Sequence, residues 1–556
     1  MKRILFVIAL AAGLCGATIA DACTNIIVTK GASEDGSCLV SYAADSHQLY
    51  GELYFKKAAD WPQGSMMDVY NWDSGRYGGQ IPQVTHTYQT VGNMNEHQLI
   101  ICETTFGGRE ELANPKATVG YGALIYITLQ RAKTAREAIS VIDRMLQGWG
   151  YSDEGETFSI ADKDECWIME LVGKGEGRTG GVWVARKVPD GMICAHANCS
   201  RITTFPLDDP ENCLYSKDVI SFAREMGYFD GPDEQFSFRD AYSPLHWDSL
   251  RGCESRTWAI YRKLGGANFD ADKYIDFAMG YKPEIGQMPL FIKPERKLSV
   301  KDVADMMRDH YEDTPMDIRE DIGAGPFRCP YRWRPISFEV DSVAYEFERP
   351  IATQQTGFWY VCQSRGWLPD EIGGVCWFGV DDAATSALTP IYTTIKEVPH
   401  CFAEGNGHMT EYSPTSAFWL FNRVTHFAYL FYDRCEGEMR KFIDNYENEN
   451  LQLVEEIDRS AQEMLKAGNA PQARELLTRW CSARSQYLFD SWTKMGEYLL
   501  VKYMDGNVKV QNEDGSFTDN GEGAFIPKMP VWPKYRDRWL RALVEDHGDS
   551  MRPAEF

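Results

Sequence analysis

Ala20-Asp21-Ala22-Cys23-Thr24-Asn25-Ile26-Ile27-Val28 is the stretch on which the reading of this chain turns. A small-x-small triplet ends at Ala22, and an apolar, β-branched run begins directly after Cys23. Upstream, Lys2 and Arg3 give a positive start and Ile4 to Leu14 form an unbroken apolar segment, the pattern of a secretory signal. That segment is too short for a bilayer span, and no later stretch approaches ~20 apolar residues. Residues 1–22 are therefore expected to be a signal peptide or propeptide. The mature chain is expected to be exported, to the periplasm or outside the cell. A cut between Ala22 and Cys23 would leave a thiol and a free α-amine on one residue, a nucleophile and a base together.

Composition sets the outer bounds. With 556 residues the chain has room for roughly three to four domains of ~150 residues. Its 81 acidic against 57 basic residues give a formal charge of −24, a surface that repels phosphate backbones, so nucleic acid is excluded as a partner. Of the 15 cysteines, Cys15 leaves with the signal. The rest show no tight framework spacing, and Cys102, Cys166 and Cys376 lie in apolar runs where cysteine serves as a small hydrophobe. No extensive disulfide framework is expected.

Along the chain, Thr24–Thr29 reads as a buried strand, Glu34-Asp35-Gly36 as a turn and Ser37–Ala43 as the returning strand. Leu99–Thr105 is a further strand. Ala123–Leu129 is apolar throughout, and periodicity leaves strand and buried helix both open. Thr134-Ala135-Arg136-Glu137 has capping-box spacing and should start a helix ending near Gln147. Thr157–Ala161, Cys166–Leu171 and Val182–Lys187 read as a β-meander. Helices are expected near Ser216–Met226, Arg256–Leu264 and Val300–Asp309, and strands over Ser337–Val343, Thr356–Gln363, Gly374–Val380 and Ala387–Ile395. Beyond Pro414, Leu451, Val454, Ile457, Ala461 and Leu465 fall at helical spacing. Gly468-Asn469 stops that helix and Pro471 opens the next, a helical hairpin.

No His-Glu-x-x-His, paired Cys-x-x-Cys, phosphate loop, dinucleotide fingerprint or Gly-x-Ser-x-Gly elbow occurs. That leaves Cys23. A cysteine attacks as thiolate and needs a base, and an α-amine titrating near ~7.7–8.0 is better matched to neutral pH than a lysine at ~10.4. Two other readings stand beside this one. Cys23 could be an ordinary buried cysteine, or a lipidated cysteine tethering a binding protein to a membrane. Against lipidation, Ala20 stands where a leucine is preferred, and a strand rather than a flexible tether follows Cys23.

Cys23-Thr24-Asn25-Ile26-Ile27-Val28, with Ala32 to Ser37 and Asp45-Ser46 behind it, resembles the start of the dipeptidase A family. These are cysteine N-terminal nucleophile (Ntn) hydrolases, more distantly similar to bile salt hydrolase and penicillin V acylase. The resemblance continues in order through Asn95-Glu96, Glu103-Thr104-Thr105, Trp167-Ile168-Met169-Glu170, Ala197-Asn198, Gly323 to Phe327, Tyr331 to Pro335 and Gly373 to Asp382. It implies an α+β fold, a four-layer αββα sandwich over 23–412, with 413–556 a C-terminal helical hairpin and tail packed on it. It also implies catalytic roles. Cys23 is the nucleophile, Asp45 orients the thiol and amine, Asn198 holds the oxyanion or the amine, and Arg256 tunes the electrostatics. Glu103, Thr104 and Thr105 sit where relatives border the substrate pocket. One position departs from the pattern: Tyr42 replaces a usual arginine, keeping a hydrogen-bond donor but no charge. The expected activity is hydrolysis of dipeptides through a thioester on Cys23, with no cofactor, a small peptide as partner, and room for a homo-oligomer. An acylase acting on N-acyl or bile-acid amides is the alternative that the same machinery could serve.

Overall fold

The computed structural model describes residues 23–554 apart from Asp248 and Ala524. The expected signal segment, 1–22, lies outside the described residues. Thr24–Val28 forms β1 and Cys38–Asp45 forms β2, paired antiparallel with Thr24 opposite Ala43 and Val28 opposite Leu39. Every residue of both strands is buried, which is why they read as continuous apolar runs rather than alternating ones. The pairing sets Cys23 at the open end of the hairpin, level with the Ala44-Asp45 end of β2.

Eight further strands build the body: β3 (Ile100–Phe106), β4 (Gly155–Ala161), β5 (Cys166–Gly173), β6 (Gly181–Lys187), β7 (Ile193–His196), β8 (Thr356–Ser364), β9 (Gly374–Val380) and β10 (Thr389–Tyr392). One six-stranded sheet runs β7-β1-β2-β8-β9-β10. A second carries the meander as β6-β5-β4-β3, extended by Cys213–Tyr215 at one edge and three two-residue strands at the other. Their pairings are antiparallel. Neighbouring side chains on a strand point to opposite faces, and β3 shows the result. Ile100 and Cys102 join one core with Ile26 and Val40 of the first sheet, while Ile101 joins a separate core with Leu124, Ile139 and Ile142.

Those last three residues belong to α1 (Tyr121–Leu129) and α2 (Ala135–Trp149), which lie on the second sheet. The segment whose periodicity left two options is thus a helix. Seven of its nine residues are buried, so it has no polar face to reveal a 3.6-residue period. Thr134 caps α2 by accepting from the Glu137 N–H, but the Glu137 carboxylate reaches back to the Lys133 N–H at 2.8 Å. Against the first sheet pack α3 (Ser255–Gly265), α4 (Val300–Met306), α5 (Ala417–Ala428), α6 (Tyr432–Lys466) and α7 (Ala470–Tyr503). The last two form the helical hairpin, turned at Gly468 with φ +77°, and their Met439, Ile443, Leu477 and Cys481 enter the same core as β1. The fold is α+β, with antiparallel sheets and helices towards the C-terminus.

Two expectations change. Ser337–Val343 is two short strands, Ser337–Val340 and Val343–Glu346, because Asp341 and Ser342 both take positive φ in a two-residue turn. Ala387–Ile395 shortens to Thr389–Tyr392. Among the described residues no helix is long and apolar enough to cross a membrane, and every cysteine from Cys23 on is free, all but Cys329 buried.

Candidate active site

The Cys23 thiol lies 3.3 Å from Glu103 Oε1 on β3 and 3.6 Å from Tyr42 Oη on β2. Tyr42 donates to the same Glu103 oxygen at 2.5 Å. Two strands of different sheets thus converge on one sulfur. Burial, then the charges of Glu103 and Asp45, push the thiol well above its ordinary range, so Cys23 is held as a neutral thiol here. Tyr42 is buried and pushed upward likewise, which keeps it a phenol and a donor.

Arg256, one residue into α3 and fully buried, spans the other side of the site. Its guanidinium donates to the Cys23 carbonyl at 2.7 Å, to Thr24 Oγ1 at 2.9 Å and to Asn198 Oδ1 at 2.9 Å, and its Nε donates to the Gly252 carbonyl. The planar fork ties the backbone of the first described residue to the Asn198 amide, a geometry that lysine could not reproduce. Asn198, just past β7, in turn donates to the Thr105 carbonyl at 2.6 Å. Asp45 ends β2. It accepts from Thr356 Oγ1 at 2.7 Å, and its backbone N–H supports the Cys23 sulfur. Burial raises its carboxyl to about 7, against the opposing fields of Arg349, Arg256 and Arg334.

Cys23, Tyr42, Asp45, Glu103, Asn198 and Arg256 are therefore brought together, although they are spread over more than 230 positions of sequence. Thr105 is at the edge, its hydroxyl on Glu156 Oε2 at 3.0 Å. Thr104 is not brought to the thiol. Strand alternation turns it the other way, where its hydroxyl bonds His196 Nδ1 at 2.7 Å and the Ala197 carbonyl at 2.9 Å. His196 also meets Ser159 at 2.6 Å and is pushed down to about 3 by burial, so it is a neutral core residue. Tyr42 brings a hydroxyl rather than a charge to the sulfur, and Arg256 addresses the Cys23 carbonyl instead.

Three participants were not singled out from sequence. Thr356 and Arg349 carry no local signal, since a strand-edge threonine and an arginine before a proline are commonplace. Glu156 had one: it is an acid at the head of the strand Gly155–Ala161, in which every residue is buried. The groups that could hold a metal elsewhere, Asp305, Asp444 and Glu447, are already engaged by Lys301, Arg308 and Arg440.

The chain is similar to several known dipeptidases. The chain is 24% identical over 420 residues to a probable dipeptidase of Latilactobacillus sakei, covering 72% of this chain and 79% of that one. It is 24% identical over 482 residues to a probable dipeptidase A of Streptococcus pyogenes serotype M3, covering 82% and 92%. It is 23% identical over 425 residues to dipeptidase A of Lactobacillus helveticus, covering 72% and 81%. The family model described as Peptidase family C69 matches residues 22–445, a match that takes in Cys23 and every residue gathered around it, and this chain belongs to that family.

Proposed function

We propose that this chain is an exported cysteine dipeptidase of the N-terminal nucleophile type, released in active form by a cut between Ala22 and Cys23. The observation that carries the reading is the convergence on Cys23. A thiol at the head of a buried strand has its own carbonyl clamped by Arg256, which also holds Asn198, and has an acid and a phenol within 4 Å of the sulfur. The proposed architecture is the αββα sandwich over 23–412, with 413–556 as its helical extension.

Chemically, the thiol needs a base because its surroundings favour the protonated form. The α-amine freed by the cut takes the thiol proton. The thiolate attacks the peptide carbonyl carbon, forming the C–S bond and moving the π electrons onto oxygen. Asn198 is the candidate donor to that oxyanion, a role worth about 3 kcal/mol. Collapse breaks the C–N bond as the α-ammonium protonates the departing amine. Water, deprotonated by the same amine, then hydrolyses the thioester. Asp45 and Arg256 position the residue that does this work, and Tyr42 supplies a hydrogen bond where relatives carry a charge.

The test is a panel of dipeptides and N-acyl amino acids, run on the purified mature chain with N-terminal sequencing. The expected outcome is a chain starting at Cys23 that cleaves dipeptides, and a Cys23→Ala variant that is folded and inactive. Preference for N-acyl amino acids would move the assignment to an acylase. A diacylglycerol mass on Cys23 would sink the enzyme reading, since acylation blocks both thiol and amine.

A further inference from the structure

Beside the thiol stands a pair of acids that the mechanism above does not use. Glu103 and Glu156 lie on adjacent strands at diagonal positions, Thr105 being opposite Glu156, and both are buried, at 1% and 0% exposure. Glu103 Oε1 accepts from Tyr42, and Glu156 Oε2 accepts from Thr105 at 3.0 Å and from Tyr151 at 3.4 Å. The other two oxygens, Oε2 of Glu103 and Oε1 of Glu156, receive no donor from any other side chain or from backbone, although neither is open to solvent. The two carboxyls are left to each other. Burial holds both above the ordinary carboxylate range, and repulsion from Glu103 raises Glu156 further, so ionisation here calls for a positive group beside the pair.

What is absent is a cation. Glu254 is paired with Arg201 at 2.8 Å, Glu447 with Arg308 at 2.5 Å and Asp458 with Arg365 at 2.5 Å. Among the described residues no lysine, arginine or histidine forms a salt bridge with Glu103 or Glu156, and besides the pair itself the charges that act most on them are the acids Asp73 and Asp153. A buried negative charge is costly unless a positive group meets it. The geometry also sets where that group would sit. In a free dipeptide the α-nitrogen is about 2.5 Å from the scissile carbonyl carbon, by standard bond lengths and angles. A carbonyl poised for attack lies about 3–3.5 Å from the sulfur. With Glu103 Oε1 only 3.3 Å from that sulfur, an α-ammonium carried beside the carbonyl falls within reach of Glu103.

We propose that Glu103 and Glu156 are the receptor for the free α-ammonium of the substrate, so that the site selects peptides with an unblocked amino terminus. This rests on the dipeptidase reading above and sharpens it. The acid pair compensates the substrate charge, Tyr42 fixes the orientation of Glu103, and an N-acyl group would bring an uncharged amide into the place of the cation.

The experiment compares Ala-Ala with propionyl-Ala, the same molecule with hydrogen in place of the ammonium. The mature wild type, Glu103→Gln and Glu156→Gln are each measured, with thermal melts confirming that the variants fold. The wild type is expected to prefer Ala-Ala by roughly 100-fold or more in kcat/KM, since a site built around a buried polar group rejects the ligand that leaves it unmatched. Each Gln variant should raise KM for Ala-Ala and shrink that preference to within about tenfold. Equal use of the two substrates by the wild type overturns the inference even if neither variant folds. So does an equal fall of kcat on both substrates in the variants, which would assign the acids to the α-ammonium of Cys23 itself. Both of those results leave a Cys23-dependent dipeptidase standing. Failure of every dipeptide to be cleaved in a Cys23-dependent way overturns the parent reading, and this inference with it.

Discussion

Replacing Asp45 with asparagine should change how stability depends on pH, in a direction that the site determines. The Asp45 carboxyl is buried and raised from 3.8 to about 7, chiefly by loss of hydration. A raised acid means that the native state holds a proton the unfolded chain has released. Below about pH 4 both states are protonated and the group imposes no penalty. As pH climbs from about 4 to about 7 the unfolded state gains from ionising while the native state does not, so stability falls, and above about 7 the loss is complete. A shift of roughly 3 units at 1.36 kcal/mol each makes that loss on the order of 4 kcal/mol. Asparagine still offers an oxygen to Thr356, which donates at 2.7 Å, but cannot ionise. Urea midpoints for wild type and Asp45→Asn, measured at several pH values across that window, should therefore diverge with rising pH, the variant gaining relative to the wild type. Taking the difference cancels the other titrating groups common to both. A difference that is flat in pH, or that favours the wild type as pH rises, would refute the reasoning and mean that Asp45 is a stable carboxylate compensated by its arginines.

Two further outcomes are expected. Arg256→Ala strips donors from the Cys23 carbonyl, Thr24 and Asn198 at once, and should cost on the order of 3 kcal/mol in a denaturant titration while lowering kcat more than it raises KM; lysine should not rescue it, having one point charge for several acceptors. A chain kept joined to residue 22 should lose dipeptide turnover by about 100-fold or more, and its Cys23 should alkylate slowly at neutral pH, because Glu103, Asp45 and burial hold the thiol protonated with no amine to take the proton.

Much of the local structure was legible because it depends on neighbours in sequence. The β1–β2 hairpin followed from a β-branched run and a Glu-Asp-Gly turn, and the α6–α7 hairpin from helical spacing stopped at Gly468-Asn469. Cys23 stood out for the same reason, since a cleavage pattern and a strand start meet at one bond. Tyr121–Leu129 did not declare itself a helix, because burial on nearly all sides erases the polar face that reveals a period.

The site itself is tertiary. Sequence, through a family resemblance, pointed to Cys23, Asp45, Glu103, Asn198 and Arg256, but not to what each touches. Only the packing of two sheets against one another sets a β3 acid on a thiol at the head of β1, sends Arg256 to a carbonyl rather than to the sulfur, and turns Thr104 away from it. The Glu103–Glu156 pair belongs to the same class. The resemblance pointed to Glu103 and not to Glu156, and only cross-strand register brings the two together without a cation. Composition and pattern decide which segments are buried, while register and sheet packing decide which buried charges meet, because those distances are spanned by no local stretch of chain.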